Sequence, residues 1–443
     1  MIQSATGSLP FPAHGAMPLE VDFLGGRLTS DGGLAWLAEA DAALALTTCL
    51  AAVIPDWRRR RGHHDLPTLL AQRIYQIACG YEDQNDADHL RTDPLLKHVC
   101  GRRPQTGRDL ASQPTLSRLE NAIGPRTCYR LAVAMGTIYL RERERAGVPT
   151  HLILDLDGTD DPTHGSQEGS AYHGYYRQHM YHPLLVFDGD TDHLITAVLR
   201  PGTVHASHGV VAILTRIVAV VRAQWPEVTL ELRADSGFAS PALFAFCEAE
   251  AITYTIGLVP NARLERAVAG LQAEATRQSV AQDGAKVRLL GETTYQARSW
   301  PTARRVVMKA EILPKGTNTR FVVTTRTDDP TTVYDWYVDR GASENWIKDL
   351  KAGCFADRLS CHRFWANQFR LLLHAAAYWL LDTLRRWLTT VGVARTTLAT
   401  LRLRLIKIGG WVREQHDRVR LRLASSHPSE AWWRALATRP TPS

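Results

Sequence analysis

The chain has 443 residues, enough for two or three domains with sizeable cores. Its 45% hydrophobic and 22% charged content is that of a soluble globular protein, and 52 Lys and Arg against 45 Asp and Glu give a net charge of +7, which suits a polyanionic partner. Seven scattered cysteines without a CxxC pair argue against a disulfide framework or a zinc ribbon, and no apolar run is long enough to span a bilayer.

The first third of the chain is predicted to be an arm followed by helices. Residues 1–25 are rich in Pro and Gly, so we expect them to form an N-terminal arm. They carry no signal-peptide pattern, so we expect a cytoplasmic, nucleoid-associated bacterial protein with no membrane contact. Apolar residues at helical spacing recur from residue 34 to residue 145. Residues 26–146 are therefore predicted to form a helical domain.

Four successive arginines follow Trp57 in this helical region. Such a run is either a phosphate-binding patch or a solvated loop, and beside a tryptophan in a basic chain it favours nucleic acid. We therefore predict that the helical domain binds DNA, and that Arg58, Arg59, Arg60 and Arg61 contact its phosphates.

An apolar strand that ends in acids begins at His151, and alternation places Asp155 and Asp157 on the same face of it. Two strands, a helix, a strand ending at Asp235, a helix and a last strand are predicted to follow, up to residue 258. An RNase H-like core requires this order of elements. Residues 147–259 are therefore predicted to form the first part of such a core, with acids at the ends of its first and fourth strands.

The remaining residues divide into three predicted segments. Residues 260–329 read as a helix and three alternating strands, a β-rich insertion, and residues 330–392 as the second part of the core. Residues 393–443 form a basic C-terminal region. There Arg418, Arg420 and Arg422 alternate with apolar residues, which predicts either a strand with a basic face for DNA or a solvated sheet edge protected by charge.

The stretch from Tyr337 to Lys351, interpreted as a helix, places Tyr337, Arg340, Glu344 and Lys351 on one face. A carboxylate between an arginine and a lysine suits a metal-binding acid beside two phosphate-binding cations. The alternative is an amphipathic surface helix with ordinary ion pairs. The spacing Y-x2-R-x3-E-x6-K resembles the signature of insertion-sequence transposases with an RNase H-like core, in which the glutamate completes an Asp-Asp-Glu metal triad.

Two further runs extend the resemblance. The residues 157–169, with Tyr175-Tyr176 and Tyr181-His182-Pro183-Leu184, and the run Leu232–Phe238 are similar to the thirteen-eighty insertion-sequence family. The resemblance covers nearly the whole chain. It implies an α/β protein, with an RNase H-like mixed-sheet core, a β-rich insertion and an α-helical N-terminal domain. It also implies a transposase that excises and inserts its own element, as a homodimer on paired ends of double-stranded DNA.

Cleavage of a phosphodiester bond without a covalent intermediate needs an activated water and a stabilised leaving oxygen, which two Mg²⁺ (or Mn²⁺) ions supply. Mg²⁺ prefers hard oxygen ligands, and three carboxylates are a common minimum for a pair of ions. The predicted catalytic and metal-binding residues are Asp157, Asp235 and Glu344. The resemblance favours Asp157 as the first ligand, and Asp155 is the reserve choice.

The predicted DNA contacts surround this triad. Arg340 and Lys351 are expected to bind phosphates at the DNA end, with Lys348 beside them, and Tyr337 to position the terminal nucleotide. In the wider group of transposases a tryptophan in the insertion stacks on a flipped base. Trp300 is the only tryptophan of this insertion, so it is predicted either to take that role or to be a core residue.

Two other functions compete with transposition. Asp155-Leu-Asp157-Gly-Thr159 after an apolar strand also matches the first motif of haloacid dehalogenase-type phosphatases, in which Asp155 would be the nucleophile and Asp157 the general acid. That interpretation lacks a downstream acidic pair and leaves Tyr337–Lys351 unexplained. The second alternative is a DNA-binding protein with an inactive core.

Overall fold

The computed structural model describes residues 9–10, 19–58 and 62–439. Most of the predicted arm lies outside the described residues, and so do Arg59, Arg60 and Arg61. The chain forms two compact units: one gathers residues 1–47, 58–118 and 380–443, and the other contains residues 48–57 and 119–379. The predicted domains are continuous stretches of sequence, whereas the first unit combines segments from both ends of the chain.

The second unit is built on an eight-stranded sheet. In chain order its strands are β1 (His151–Gly158), β2 (Leu184–Asp188), β3 (Leu194–Val198), β4 (Thr229–Ala234), β5 (Thr253–Leu258), β6 (Val287–Tyr295), β7 (Arg304–Leu313) and β8 (Gly316–Thr324). They are arranged in space as β6-β7-β8-β5-β4-β1-β2-β3. Strand β4 pairs in parallel with β1 and with β5, and every other pair is antiparallel. The fold is therefore mixed α/β with a large mixed sheet.

The central strand β1 is buried on both faces. Its alternating residues, the leucines on one side and Ile153, Asp155 and Asp157 on the other, are all buried. Helices Val210–Gln224 and Pro241–Ala249 connect β3 to β4 and β4 to β5. After β8 come further helical turns over residues 330–353 and the long helix Phe364–Thr390. The helix Pro125–Arg145 also belongs to this unit, where the Tyr139 hydroxyl donates a 2.8 Å hydrogen bond to Asp188 at the end of β2.

The predicted insertion continues the sheet. Asn261 caps the helix Ala262–Ala281 by accepting hydrogen bonds from the next turn, as a capping residue at this position predicts. The strands β6, β7 and β8 follow, and β8 pairs with the core strand β5. The three strands therefore extend the core sheet from five strands to eight.

A small three-stranded sheet lies between β1 and β2 in the chain. Its strands are Asp161–Pro162, Ala171–His173 and Gln178–Tyr181, with Gln178–Tyr181 in the middle. A single strand is predicted from residue 181 to residue 187, but the structure divides this segment at His182-Pro183. The reason is that Gln178–Tyr181 pairs with the small sheet and β2 pairs with β1.

The first unit is mainly helical. Its whole helices are Leu34–Leu44, Leu66–Cys79, Asp86–Leu90, Pro94–Val99, Leu398–Leu401 and Glu430–Ala437, and it also includes parts of Leu46–Ala52, Gln113–Ala122 and Phe364–Thr390. Strands Leu28–Thr29, Gly410–Glu414 and Val419–Leu423 form a small sheet, and Leu9–Pro10 pairs with Glu20–Val21. Lys407 bonds Asp31 at 2.8 Å, which joins the two ends of the chain.

In the described part of the chain, no single helix has the length and apolar composition needed to cross a membrane, and Leu34–Leu44 and Leu46–Ala52 meet that test only when counted together.

Candidate active site

The two predicted strand-end aspartates lie side by side. In the parallel β1–β4 pair, Leu156 is opposite Ala234, so that the next residues, Asp157 and Asp235, are level at the same edge of the sheet. Asp157 is buried, and Asp235 is half-buried and caps the turn Ser236–Phe238, accepting a 2.8 Å hydrogen bond from Gly237 N–H. This edge therefore carries two adjacent carboxylates, one from each strand.

Asp155 has a structural role on the same face of β1. It is fully buried, and its two oxygens each accept a 2.6 Å hydrogen bond from Arg233 of β4. Burial raises the pKa of Asp155 and the Arg233 pair opposes that rise. Both oxygens are thus engaged in an ion pair, which counts against Asp155 as the phosphatase nucleophile and as the reserve metal ligand.

The segment that carries Glu344 is helical but not a uniform α-helix. Asp329 caps the helix Pro330–Val338, and a 3₁₀ turn over Asp339–Gly341, the helix Ala342–Lys348 and a π-turn over Asp349–Gly353 follow without a break. Such changes of pitch are frequent at functional sites. Tyr337, Arg340 and Glu344 are nevertheless neighbours, since the Arg340 guanidinium lies 6.0 Å from the Tyr337 ring centroid and 3.9 Å from Glu344 Oε1.

This segment contacts Asp157 through two side chains. Arg340 Nη1 lies 3.2 Å from Asp157 Oδ2, and the Ser343 hydroxyl donates to the same oxygen at 2.9 Å. Burial raises the pKa of Asp157 to about 6, with Arg340 lowering it and Asp235 raising it further. The aspartates and Arg340 therefore form one electrostatic unit.

Glu344 lies at the exposed edge of this group of charged side chains. Its side chain is 74% exposed, and Oε1 is 3.9 Å from Arg340 Nη2. The donor set of two aspartates and one glutamate suits Mg²⁺ chemically. In the described ranges, however, no three carboxylate, His or Cys groups are placed to hold one metal ion. Arg340, a cation, contacts Asp157 and approaches Glu344, so the observed side-chain arrangement does not fit a three-ligand metal site.

Tyr337 packs beneath Arg340. The Arg340 guanidinium lies 6.0 Å from the Tyr337 ring centroid, and burial raises the pKa of this tyrosine, with Asp235 adding to the rise. A Cβ on Gly257 of β5 would lie 2.8 Å from the Tyr337 hydroxyl. A glycine at this position therefore allows the tyrosine to approach the sheet beside Asp235.

The two predicted lysines differ in their contacts. Lys351 Nζ bonds Asp160 through the carboxylate at 2.8 Å and the carbonyl at 2.9 Å, whereas Lys348 is exposed and has no ion pair within the described ranges. Ser343 and Asp160 are contacts that the sequence interpretation did not assign to the site. Helical spacing could have indicated Ser343, because it lies three residues after Arg340 on the same face.

Trp300 is a core residue. It is 7% exposed, and its ring lies 5.1 Å from Phe244, 5.4 Å from Tyr295 and 5.4 Å from the guanidinium of Arg304, measured to ring centroids. Stacking on a flipped base would require the ring to leave this cluster. The core alternative therefore describes Trp300 in this structure, and its stacking on a flipped base stays a prediction.

The other predicted DNA contacts that the structure describes, Arg58, Arg418, Arg420 and Arg422, lie in the first unit. The Arg58 guanidinium donates to the His64 carbonyl. Arg418 bonds its neighbour Asp417 at 2.6 Å, while Arg420 and Arg422 are exposed on the edge strand Val419–Leu423. The predicted strand is present, and two of its three arginines are available to a partner.

Comparisons with known proteins give a family and a weak structural likeness. A family profile described as transposase DDE domain group 1 matches residues 11–441. A solved structure of the piggyBac transposase synaptic complex with hairpin DNA is similar at a TM-score of 0.43 and 11% identity, over 86% of this chain and 80% of that one. No curated protein matches the sequence.

Proposed function

Because the chain belongs to the transposase DDE domain group 1 family, we propose that it cuts DNA at the ends of an insertion sequence of the thirteen-eighty type and joins those ends to a target. The observation that supports this most directly is the adjacency of Asp157 and Asp235 at one sheet edge, with the Glu344 helix held against Asp157 by Ser343. The elements β1, β2, β3, a helix, β4, a helix and β5 follow one another in the chain order that an RNase H-like core requires, which supports that core.

Asp157, Asp235 and Glu344 are the proposed catalytic residues and the proposed ligands of two Mg²⁺ or Mn²⁺ ions. Such ions, when bound, activate a water or hydroxyl and stabilise the leaving oxygen. Gathering three ligands requires Arg340 to leave Asp157 and Glu344 to turn inward. A DNA phosphate is a suitable alternative partner for Arg340, because arginine pairs well with phosphate oxygens.

The proposed partner is double-stranded DNA, bound by a homodimer that holds two element ends in the bacterial nucleoid. Lys348, Lys351 and the exposed arginines Arg420 and Arg422 would neutralise backbone phosphates. Arg58, Arg59, Arg60, Arg61 and Arg418 are proposed as further phosphate contacts. The dimer follows from the family resemblance.

The test is an excision assay. A plasmid carries the gene with its native flanking DNA, and purified protein is added with Mg²⁺, with Mn²⁺ or with a chelator. Excised element is expected with either ion, and none with Asp157→Asn or Asp235→Asn. DNA retardation without cutting under every condition would instead identify a DNA-binding protein with an inactive core, an alternative favoured by the lack of a three-ligand group among the described residues.

A further inference from the structure

A hairpin beside the candidate site carries a group of aromatic rings. Its strands, Ala171–His173 and Gln178–Tyr181, pair with His173 opposite Gln178. The loop between them is closed by Arg177 N–H, which donates to the His173 carbonyl at 2.7 Å, with Arg177 in the left-handed region at φ 55°. The backbone at the tip is therefore fixed by a hydrogen bond.

The tip holds Tyr175 and Tyr176 in a packed group with two histidines, which we call the ring cluster (His173, Tyr175, Tyr176 and His182). Tyr176 is half-buried, with ring centroids 5.2 Å from His173 and 6.1 Å from His182. Tyr175 meets Tyr176 edge-on at 5.0 Å and is 85% exposed. The cluster thus supports one large aromatic ring that faces solvent.

The ring cluster adjoins the acidic pair. A Cβ on Gly158, the residue after Asp157, would lie 2.9 Å from His182 Nε2. Burial raises the pKa of Tyr176 to about 12, and the charges of Asp160 and Asp157 add to the rise. The phenol next to the carboxylates therefore stays neutral at physiological pH.

The hairpin is also connected to a proposed phosphate contact. Gln178 Nε2 donates to Asp160 Oδ2 at 2.8 Å, and the other oxygen of this carboxylate bonds Lys351 at 2.8 Å. Arg177, in the hairpin loop, is exposed and makes no ion pair with any residue that the structure describes. The loop thus carries an exposed ring at Tyr175 and, two residues later, an exposed arginine, beside the strand ends that carry Asp157 and Asp235.

We propose that Tyr175 stacks on an unpaired base of the DNA strand held at the Asp157–Asp235 edge, with Arg177 on the adjacent phosphate. The inference rests on the proposed function, since it needs DNA at that edge. Aromatic rings beside cations bind single-stranded nucleic acid through stacking, which tolerates any base. Cutting at an element end exposes unpaired bases where the strand enters the site, and the fixed hairpin would hold one of them in place.

The experiment compares two DNA probes in the absence of divalent ions. One is a blunt duplex, and the other is the same duplex with a single-stranded thymidine tail that carries 2-aminopurine at its first unpaired position. Fluorescence anisotropy gives the affinity for each probe, and quenching of 2-aminopurine reports stacking. Tyr175→Ala is expected to weaken binding of the tailed duplex about ten-fold and to remove the quenching, with blunt-duplex affinity unchanged.

Two control variants separate stacking from other effects. Tyr175→Phe keeps the ring and is expected to behave as wild type. Tyr129→Ala removes another exposed tyrosine, on the helix Pro125–Arg145, and is expected to change neither probe. Because Tyr175 is so exposed, its replacement by alanine should leave the Tm unchanged.

Each remaining outcome is decisive. Wild-type protein that binds neither probe would overturn the proposed function and this inference with it. If wild-type protein binds both probes and Tyr175→Ala quenches 2-aminopurine as strongly as wild type does, the inference alone is overturned. An equal loss of affinity for both probes in Tyr175→Ala would also overturn the inference. So would a Tyr175→Ala variant that changes oligomeric state but still quenches 2-aminopurine, which would assign the ring to an interface between copies.

Discussion

The Ser343 hydroxyl donates a 2.9 Å hydrogen bond to Asp157, a residue 186 positions earlier in the chain. Ser343 is fully buried, so the bond fixes the first turn of the helix Ala342–Lys348 against the end of β1. The next residue is Glu344. A late helix and an early strand are thus joined one residue from the carboxylate that the proposed chemistry needs.

The first prediction concerns Glu344 itself. Glu344→Gln is expected to reduce strand cleavage by about 10³-fold or more, because a neutral amide is a much poorer ligand for a divalent ion that contributes several kcal/mol to catalysis. DNA affinity should change little, since the side chain is exposed and its one ion pair among the described residues is with Arg340, at 3.9 Å. Gel retardation and plasmid cleavage measure the two effects separately.

The matched control for this change is Glu227→Gln, at an exposed glutamate between the helix Val210–Gln224 and β4. It removes the same charge from the protein and should leave cleavage at the wild-type rate. Cleavage that survives in Glu344→Gln, at a rate equal to that of Glu227→Gln, would remove Glu344 from the triad.

Lys351 is predicted to contact a phosphate once DNA is bound. Its ammonium group now bonds Asp160, and a DNA phosphate would compete for it. Lys351→Ala should weaken binding of all sequences equally and reduce the slope of log affinity against log salt by about 1. Lys315→Ala, at the exposed turn between β7 and β8, is the control and should leave the slope unchanged. An unchanged slope in Lys351→Ala as well would mean that this lysine serves only to hold Asp160.

The C-terminal basic segment allows a comparison of three alternating arginines, Arg418, Arg420 and Arg422. Arg420 and Arg422 are exposed, and Arg422 lies 5.6 Å from the Trp411 ring centroid, while Arg418 is paired with Asp417. Arg420→Ala and Arg422→Ala should each lower the salt slope of duplex binding by about 1. Arg418→Ala should have a smaller effect, because Asp417 already neutralises that guanidinium. Equal effects at the three positions would argue against a directed basic face.

Much of the large sheet could be predicted from the sequence, because its signals are local. The apolar run before Asp157 and the alternation in residues 287–324 depend only on neighbouring side chains. The strands β1, β6, β7 and β8 lie within a few residues of the segments 151–159, 287–297, 304–312 and 319–325, which that pattern predicts as strands. Asp157 and Asp235 could be assigned to strand ends in advance, and the parallel pairing of β1 with β4 brings those ends to the same edge.

Long-range contacts could not be predicted in this way. The burial of Trp300 depends on Phe244, which comes from a helix far from it in the chain. The 3₁₀ and π turns on either side of Ala342–Lys348 depend on how the segment packs, since the glycines that end them do not specify a change of helical pitch. Likewise, the first unit is closed by bonds such as Arg402 Nε to the Ala78 carbonyl, 324 residues apart.

The buried Asp155–Arg233 pair is predicted to be essential for stability. Asp155→Asn should destabilise the protein by roughly 3–5 kcal/mol, because it leaves the guanidinium buried without its countercharge. The double change Asp155→Leu with Arg233→Met should recover most of that loss, since an apolar pair of similar size replaces two buried charges. Urea unfolding followed by fluorescence measures both.

The control is a second ion pair, between Glu231 of β4 and Arg326. Glu231 bonds Arg326 at 2.6 Å but is partly exposed, so Glu231→Gln should cost no more than about 1 kcal/mol. The phosphatase alternative makes a different prediction, namely a stable Asp155→Asn variant that has lost hydrolysis of a small phosphate ester. An Asp155→Asn variant as stable as wild type would contradict a structural role for this ion pair.

Asp161 is expected to set part of the pH dependence of stability. It is 1% exposed, and neither carboxyl oxygen has a hydrogen-bond partner among the residues that the structure describes. Burial, reinforced by the charge of Asp357, raises the pKa of Asp161 well above its usual value, although Lys351 opposes the rise. The carboxyl group is therefore protonated in the folded protein at pH values where the unfolded chain has lost that proton.

The sign of the effect follows from proton counting. Above the unfolded pKa of 3.8 the folded state binds more protons at Asp161 than the unfolded state does, so stability falls as pH rises toward the raised folded pKa. Each unit of pKa difference corresponds to about 1.4 kcal/mol. Asp161→Asn removes this proton uptake, and its Tm should exceed that of wild type at pH 8 and converge with it at pH 4. Asp283→Asn, at an exposed loop position, should show the same dependence of Tm on pH as wild type. If the Tm of Asp161→Asn also ran parallel to that of wild type from pH 4 to pH 8, the Asp161 carboxyl group would be ionised in the folded protein.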